Sequence, residues 1–191
     1  MPVRRNNHRA RFLLAVGAFA AAGASDPGIA ACTTFCLRTD SAVVFGRNYD
    51  FEIGDGPVLV NRRGTARQGA QPGGPRWLAR FGSVTFNQFG RDFPTGGMNE
   101  AGLAVELMWL DETRYPDADD RPPVGTLEWI QFQLDTVRTV DDVLASDARI
   151  RIAGSVPIHY QVSDADRRAA TVEFLDGRLV AHTGSGSPRR S

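Results

Sequence analysis

From Cys32 to His182 the chain breaks into short apolar or alternating runs, each closed by Gly, Pro, Asn, Asp or Ser. Runs of that length and punctuation restrict a chain to sheets of short strands joined by tight turns. Thr33–Arg38 and Ala42–Phe45 are expected as two strands around a turn at Thr39-Asp40-Ser41, with Arg47–Phe51 just past the second. Val58–Asn61 and Phe81–Phe86 follow as strands, separated by Gly64–Pro75, a Gly-, Gln-, Pro- and Arg-rich loop or hairpin end. Leu103–Leu110 is apolar enough for a buried central strand. Asp111–Pro123, acidic and Pro-rich, reads as an exposed loop. Helical spacing is confined to one stretch: Thr126 opens a helix with Leu127, Ile130, Leu134 and Val137 on one face. A shorter helix over Val140–Ala145 follows, capped by Thr139 or Asp141. Ile158–Ser163, Ala170–Phe174 and Arg178–His182 then form strands, the last two joined at Asp176-Gly177. The class expected is α+β.

Residues 1–31 have the zones of an export signal. Arg4, Arg5, Arg9 and Arg11 precede an apolar stretch, Phe12–Ala22, which is too short to span a bilayer. A small-residue region with a Pro-Gly break ends at Ile29-Ala30-Ala31, before Cys32. The expected organisation is a cleavable segment over 1–31, one domain over 32–191, and an exported product, periplasmic or secreted. Without residues 1–31, which hold four Arg and one Asp, the chain keeps 18 Arg against 21 acids, a formal charge near −3. No basic footprint for nucleic acid exists in that balance. No further apolar run is long enough for stable membrane insertion after cleavage.

Cys32 and Cys36 are the two cysteines. On one extended strand, positions four apart lie roughly 13 Å from each other, beyond the ~7 Å Cα limit for a disulfide. His8, His159 and His182 are scattered and no CxxC pair is present, so neither a metal nor any other cofactor is expected. Two free thiols are left in an exported chain, one of them at a processing site.

Three segments now stand in order: Cys32-Thr33-Thr34-Phe35, Phe45-Gly46-Arg47-Asn48-Tyr49-Asp50-Phe51, and Gly97-Met98-Asn99-Glu100-Ala101-Gly102-Leu103-Ala104-Val105. Together they resemble the choloylglycine hydrolase family, N-terminal-nucleophile enzymes that cleave linear amides and include penicillin V acylases and bile salt hydrolases. The resemblance implies a four-layer αββα fold of stacked antiparallel sheets and hydrolysis of a small-molecule amide. In such an enzyme Cys32 becomes residue one: its thiolate attacks, and its freed α-amine, with a pKa of roughly 7.7–8.0 in general, accepts the proton. An arginine beside a thiol favours the thiolate, a place the resemblance gives to Arg47. Asp50 would orient the amine and stabilise its protonated form. The backbone N–H of Trp109 would be one oxyanion donor, and the Trp109 side chain, where bile salt hydrolases tend to have Asn, favours an aromatic-walled acyl pocket over bile salts. Phe51 and Met108 are candidates to line that pocket, whereas Asn99 is expected to shape the turn. A homo-oligomer stays open as an association state.

The chain also departs from the family. A second oxyanion Asn would fall where Gly184–Ser191 stands, a later catalytic Arg has no counterpart, and the closing strands and helices of the fold are absent. The expected fold is therefore incomplete, and an inactive remnant is one alternative to an aryl-acyl or fatty-acyl amide hydrolase. Another is a lipoprotein: Ile29-Ala30-Ala31-Cys32 resembles a lipobox, in which the thiol carries lipid and cannot act as nucleophile. Arg47–Asp50 favours the amidase, since a lipid anchor needs no such motif.

Overall fold

The computed structural model describes residues 32–39, 43–51 and 54–183. The export-type segment 1–31, with the domain boundary expected at its end, and the tail beyond Thr183 lie outside the described residues.

The chain opens with a hairpin, β1 (Thr33–Arg38) against β2 (Val43–Asn48), in which Thr34 faces Arg47 and Cys36 faces Phe45. The second strand runs further than its apolar residues suggest and carries Arg47 within it. β3 (Val58–Asn61) leads into a small hairpin, β4 (Ala66–Gln68) and β5 (Arg76–Leu78), where the sequence suggested a loop or hairpin end. β6 (Ser83–Asn87), β7 (Pro94–Asn99) and β8 (Ala104–Trp109) form a meander. A short β9 (Pro123–Val124) precedes α1 (Thr126–Thr136) and α2 (Val140–Ala145), and β10 (Arg151–Ile152) pairs back onto β9. β11 (Ile158–Ser163), β12 (Ala169–Leu175) and β13 (Arg178–Thr183) complete the described chain.

Seven strands make one antiparallel sheet in the order β13-β12-β11-β8-β7-β6-β3. Strand alternation gives it two faces. One face, with Val105, Leu107, Tyr160, Val162, Val172 and Phe174, packs on the two helices through Trp129, Ile130, Leu134, Val140 and Val143. Trp129 stacks on Tyr160 at 4.3 Å between ring centroids, and Phe174 meets both rings edge-on. The α1 helix is buried nearly all round, and its buried polar residues Glu128, Gln131, Gln133 and Asp135 each make at least one hydrogen bond, although Gln131 Oε1 and Gln133 Oε1 find no partner among the described residues. Glu128 accepts from the backbone N–H groups of Gly125 and Ala70, and Gln133 donates to Ser146 Oγ at 2.8 Å.

The opposite face carries the β1–β2 hairpin over β8: Thr34 Oγ1 donates to Met108 Sδ at 3.1 Å, and Arg47 pairs with Glu106. Toward the β3 edge this face is apolar and open among the described residues, with Val60 75% exposed and Val84, Phe86 and Met98 about half exposed. The layers are thus helices, a large sheet and the beginning of a second sheet, an α+β arrangement.

The Asn99–Leu103 segment shows why a turn of that sequence belongs there. Gly102 sits at φ +88°, a left-handed conformation that glycine adopts without steric cost. Asn99 Oδ1 accepts from the N–H groups of Ala101 and Leu103, while its Nδ2 donates to the carbonyls of Leu134 and Val137. One side chain therefore closes the β7–β8 turn and terminates α1. Glu100 Oε1 accepts from the Gly82 N–H at 2.8 Å, tying the same turn to the start of β6.

Candidate active site

The inward face of the β1–β2 hairpin carries Thr34, Cys36, Phe45 and Arg47, and Cys32 shares their parity one step before β1. Both cysteines are free. The Cys32 Sγ points to the Asp50 carbonyl oxygen at 4.0 Å. The Asp50 carboxylate is exposed and accepts from Asn48 Nδ2 at 2.9 Å. Cys32, Arg47 and Asp50 are thereby gathered at one end of the hairpin, because β2 pairs with β1 and brings residues fifteen or more positions apart alongside.

Arg47 is the most constrained of the three. Its Nη1 donates to the Thr95 carbonyl at 2.8 Å and pairs with the Glu106 carboxylate, and its guanidinium carbon lies 4.0 Å from the centroid of the Tyr49 ring. The Arg47 and Glu106 side chains are each only 10% exposed. Room for Glu106 comes from β7: a Cβ built on Gly96, its cross-strand partner, would lie 1.7 Å from Glu106 Oε2. Burial pushes the Glu106 carboxyl above its usual range, and Arg47 pulls it down by less. Tyr49, whose hydroxyl donates to Gln88 Oε1 at 2.6 Å, is also raised by burial; Arg47 opposes that shift and Cys32 adds to it. The thiol and the guanidinium therefore both act on the same phenol.

Arg47, Tyr49 and Glu106 line a cleft of about 440 Å³ with Phe45, Phe86, Gly54 and Gly56. Its rim continues as an aromatic series: Tyr49 stacks on Phe51 at 5.9 Å, and Phe51 meets Phe89 edge-on at 6.0 Å. A cleft with one cation, one buried acid and several aromatic walls suits a molecule with an apolar body and a polar group at one end.

The other expected site residues fall unevenly. Phe51 stacks on Tyr49 beside the cleft and is not among the residues lining it. Met108 lies beneath the hairpin, held by Thr34, and does not line the cleft. Trp109 ends β8 with its side chain half exposed and its indole N–H donated to Asp111 Oδ1 at 2.6 Å. Strand alternation turns that side chain away from the face carrying Glu106 and Met108, and Trp109 is not among the residues lining the cleft. Asn99 has a structural role, as expected of it. Glu106 and Tyr49 are the residues that sequence reasoning missed. A lone acid inside the apolar run Ala104–Leu110 was the available signal, because a buried carboxylate in a central strand requires a partner.

Among the described residues no group of three or more His, Cys, Asp or Glu side chains could hold a metal ion. No described helix is long and apolar enough to cross a membrane.

Comparison with known proteins places these features in context. A penicillin V acylase of Pectobacterium atrosepticum is 31% identical over 123 residues, covering 56% of this chain and 33% of that protein. The solved penicillin V acylase of Agrobacterium tumefaciens superposes with a TM-score of 0.69 at 32% identity, over 81% of this chain and 49% of that one. A mutant conjugated bile acid hydrolase of Clostridium perfringens gives a TM-score of 0.68 at 18% identity, a likeness of fold, over 81% of this chain and 51% of its own. The chain spans between a third and about half of the length of these relatives. The family model for linear amide C–N hydrolases of the choloylglycine hydrolase family matches residues 32–187, and the chain belongs to that family.

Proposed function

We propose that the protein hydrolyses the C–N bond of a small linear amide, with Cys32 as an N-terminal nucleophile. The observation that carries the reading is the grouping of Cys32, Arg47 and Asp50 at one end of the β1–β2 hairpin, beside a cleft walled by Arg47, Tyr49 and Phe86. Cleavage after Ala31 during export, to a periplasmic or secreted product, frees the Cys32 α-amine. The Cys32 thiol passes its proton to that amine and the thiolate attacks the carbonyl carbon, forming a C–S bond while the C=O π electrons move onto the oxygen. The tetrahedral intermediate collapses, the C–N bond breaks, and the α-ammonium group returns the proton to the departing amine. Water then hydrolyses the thioester, releasing the acid and restoring the thiol. In this reading Arg47 supplies positive charge that favours the thiolate, and Asp50 orients the amine and stabilises its protonated form.

The aromatic wall and rim favour an aryl-acyl or fatty-acyl group over a bulky conjugated bile acid. Penicillin V and acyl-homoserine lactones carry acyl groups of those two kinds. The backbone N–H of Trp109 remains the oxyanion donor in this reading. Turnover of phenoxyacetyl and long-chain acyl amides by exported protein, with its N-terminal residue and intact mass determined, tests it. Activity in a chain starting at unmodified Cys32, abolished by Cys32→Ala and retained in Cys36→Ala, is the expected result. Equal turnover in wild type and Cys32→Ala would remove the mechanism, and a Cys32 heavier by a diacylglyceryl group would make the protein a lipoprotein.

A further inference from the structure

The proposed mechanism leaves one titratable group of the cleft unused. Glu106 stands on β8, in a run whose other members, Ala104, Val105, Leu107, Met108 and Trp109, are all apolar. It lines the cleft together with Arg47, its ion-pair partner, and both side chains are 10% exposed. Its cross-strand neighbours are Gly96 on β7 and Gln161 on β11, neither of them charged, so Arg47 is its counterion. Gly96 makes the room it occupies, because a Cβ there would overlap the carboxylate. Burial outweighs Arg47 in holding the Glu106 carboxyl above its usual range, which means that keeping an acid here costs free energy.

What that acid does follows from the charge of the cleft. A lone guanidinium among aromatic walls, with little water around it, is a strong receptor for carboxylates, which it binds through two parallel N–H groups. The acid released by hydrolysis of an acyl amide is such a carboxylate. Glu106 takes that place on Arg47 permanently. Asp55, exposed, also lines the cleft, so one guanidinium stands against two carboxylates. Asn87, another lining residue, spends its Nδ2 on the carbonyls of Gly90 and Arg91. Arg47 still opposes the upward shift of the Tyr49 phenol, so its charge is felt on the hairpin side while its Glu106 side is satisfied.

We propose that Glu106 sets the preference of the cleft for an uncharged acyl amide over the carboxylate that hydrolysis yields, by holding Arg47 in a closed ion pair. This role rests on the amide-hydrolase reading above and adds to it the basis for telling substrate from product. A neutral amide enters without meeting an unbalanced charge. The product acid, ionised near neutral pH, finds the guanidinium taken and two carboxylates nearby.

The test is calorimetric titration of the full chain, in a Cys32→Ala background that blocks turnover, with phenylacetamide and phenylacetate at pH 7.5. The two ligands match in size and differ in charge. Phenylacetamide is expected to bind at least about tenfold tighter. Glu106→Gln, which leaves Arg47 without a counterion, should move that ratio at least about tenfold toward phenylacetate, whereas a merely structural loss would weaken both ligands together. Arg47→Met/Glu106→Met replaces the pair by apolar side chains, an exchange that folds commonly tolerate, and should keep the preference for the amide; with the parent it decides the matter if Glu106→Gln does not fold. A parent that fails to bind phenylacetamide or to prefer it, an unchanged ratio in Glu106→Gln, or a double variant that prefers phenylacetate would each overturn the proposal. Turnover is measured separately with Cys32 in place: turnover without the preference rejects the role of Glu106 alone, and the preference without turnover rejects the mechanism alone.

Discussion

Replacing Asn99 tests how one side chain joins the β7–β8 turn to the end of α1. Asn99 is 3% exposed and makes four bonds: it accepts from Ala101 N at 3.1 Å and Leu103 N at 3.0 Å, and donates to Leu134 O at 3.0 Å and Val137 O at 2.8 Å. Asn99→Ala removes all four and leaves two N–H groups and two carbonyls unmet in the interior. At about 1 kcal/mol per bond lost, rising where a buried group stays unpaired, the total is about 3–5 kcal/mol. For a domain of this size that is a fall in Tm of roughly 6–20 °C. Asn99→Asp is the sharper probe. One oxygen can still accept from Ala101 and Leu103, but the other now faces the two helix carbonyls, so the ionised form is repelled and its folded-state pKa is raised. The stability of that variant is then fully present below the unfolded carboxyl pKa of roughly 3.9 and is lost as pH rises through the folded value. Urea unfolding followed by the fluorescence of buried Trp129 should give Asn99→Asp a smaller deficit at pH 4.5 than at pH 7.5, and Asn99→Ala a deficit that changes little. A loss below about 1 kcal/mol in Asn99→Ala, or a deficit independent of pH in Asn99→Asp, would refute the assignment of Asn99 as cap and turn clamp.

Three further outcomes follow from the site. Because burial holds the Glu106 carboxyl above its usual range despite Arg47, its share of stability is present below pH 4.5 and lost as pH rises through the folded pKa. Glu106→Gln should therefore remove that loss, whose slope for a single proton is at most about 1.4 kcal/mol per pH unit, and a wild-type profile without the slope would show the pair to be net stabilising. Gly96→Ala drives a methyl group into Glu106 Oε2; it should cost about 1–3 kcal/mol and turnover with it, and unchanged unfolding would mean that the carboxylate moves freely. His159 is lowered below its ordinary 6.5 by burial, with Glu173 opposing. Its share of stability is complete above pH 6.5 and declines as pH falls toward the lower folded pKa, so His159→Gln should flatten that part of the acid limb in urea titrations between pH 5 and 7.5.

The sites were legible to different degrees, for local reasons. The helix over Thr126–Thr136 and the strand over Ala104–Trp109 could be read because their apolar spacing extends over several turns or runs unbroken. The β4–β5 hairpin is not legible in the sequence because three-residue strands, Ala66–Gln68 and Arg76–Leu78, are too short to show a period amid Gly and Pro. The apolar residues of the second strand stop before Arg47, yet Arg47 lies within β2, since pairing with β1 carries the ladder through Gly46 and Asn48. Phe51 stacks on Tyr49, a cleft residue, but does not itself line the cleft. Trp109 and Met108 sit on the adjacent strand, but Trp109 is tied to Asp111 and Met108 lies beneath Thr34.

What the sequence by itself determined is the kind of chain this is. Turn residues at short intervals specify antiparallel strands, and Cys32, the Arg47–Asp50 segment and the Asn99–Leu103 turn specify the family, because each is a run of neighbours whose chemistry can be read locally. The tertiary structure alone decided that Glu106 meets Arg47, that Gly96 makes room for it, and that Asn99 reaches the end of a helix beginning twenty-seven positions later. Those relations depend on strand register and on which face of the sheet a side chain occupies. A one-residue slip exchanges the two faces, so pairing across the sheet, and no local pattern, sets them.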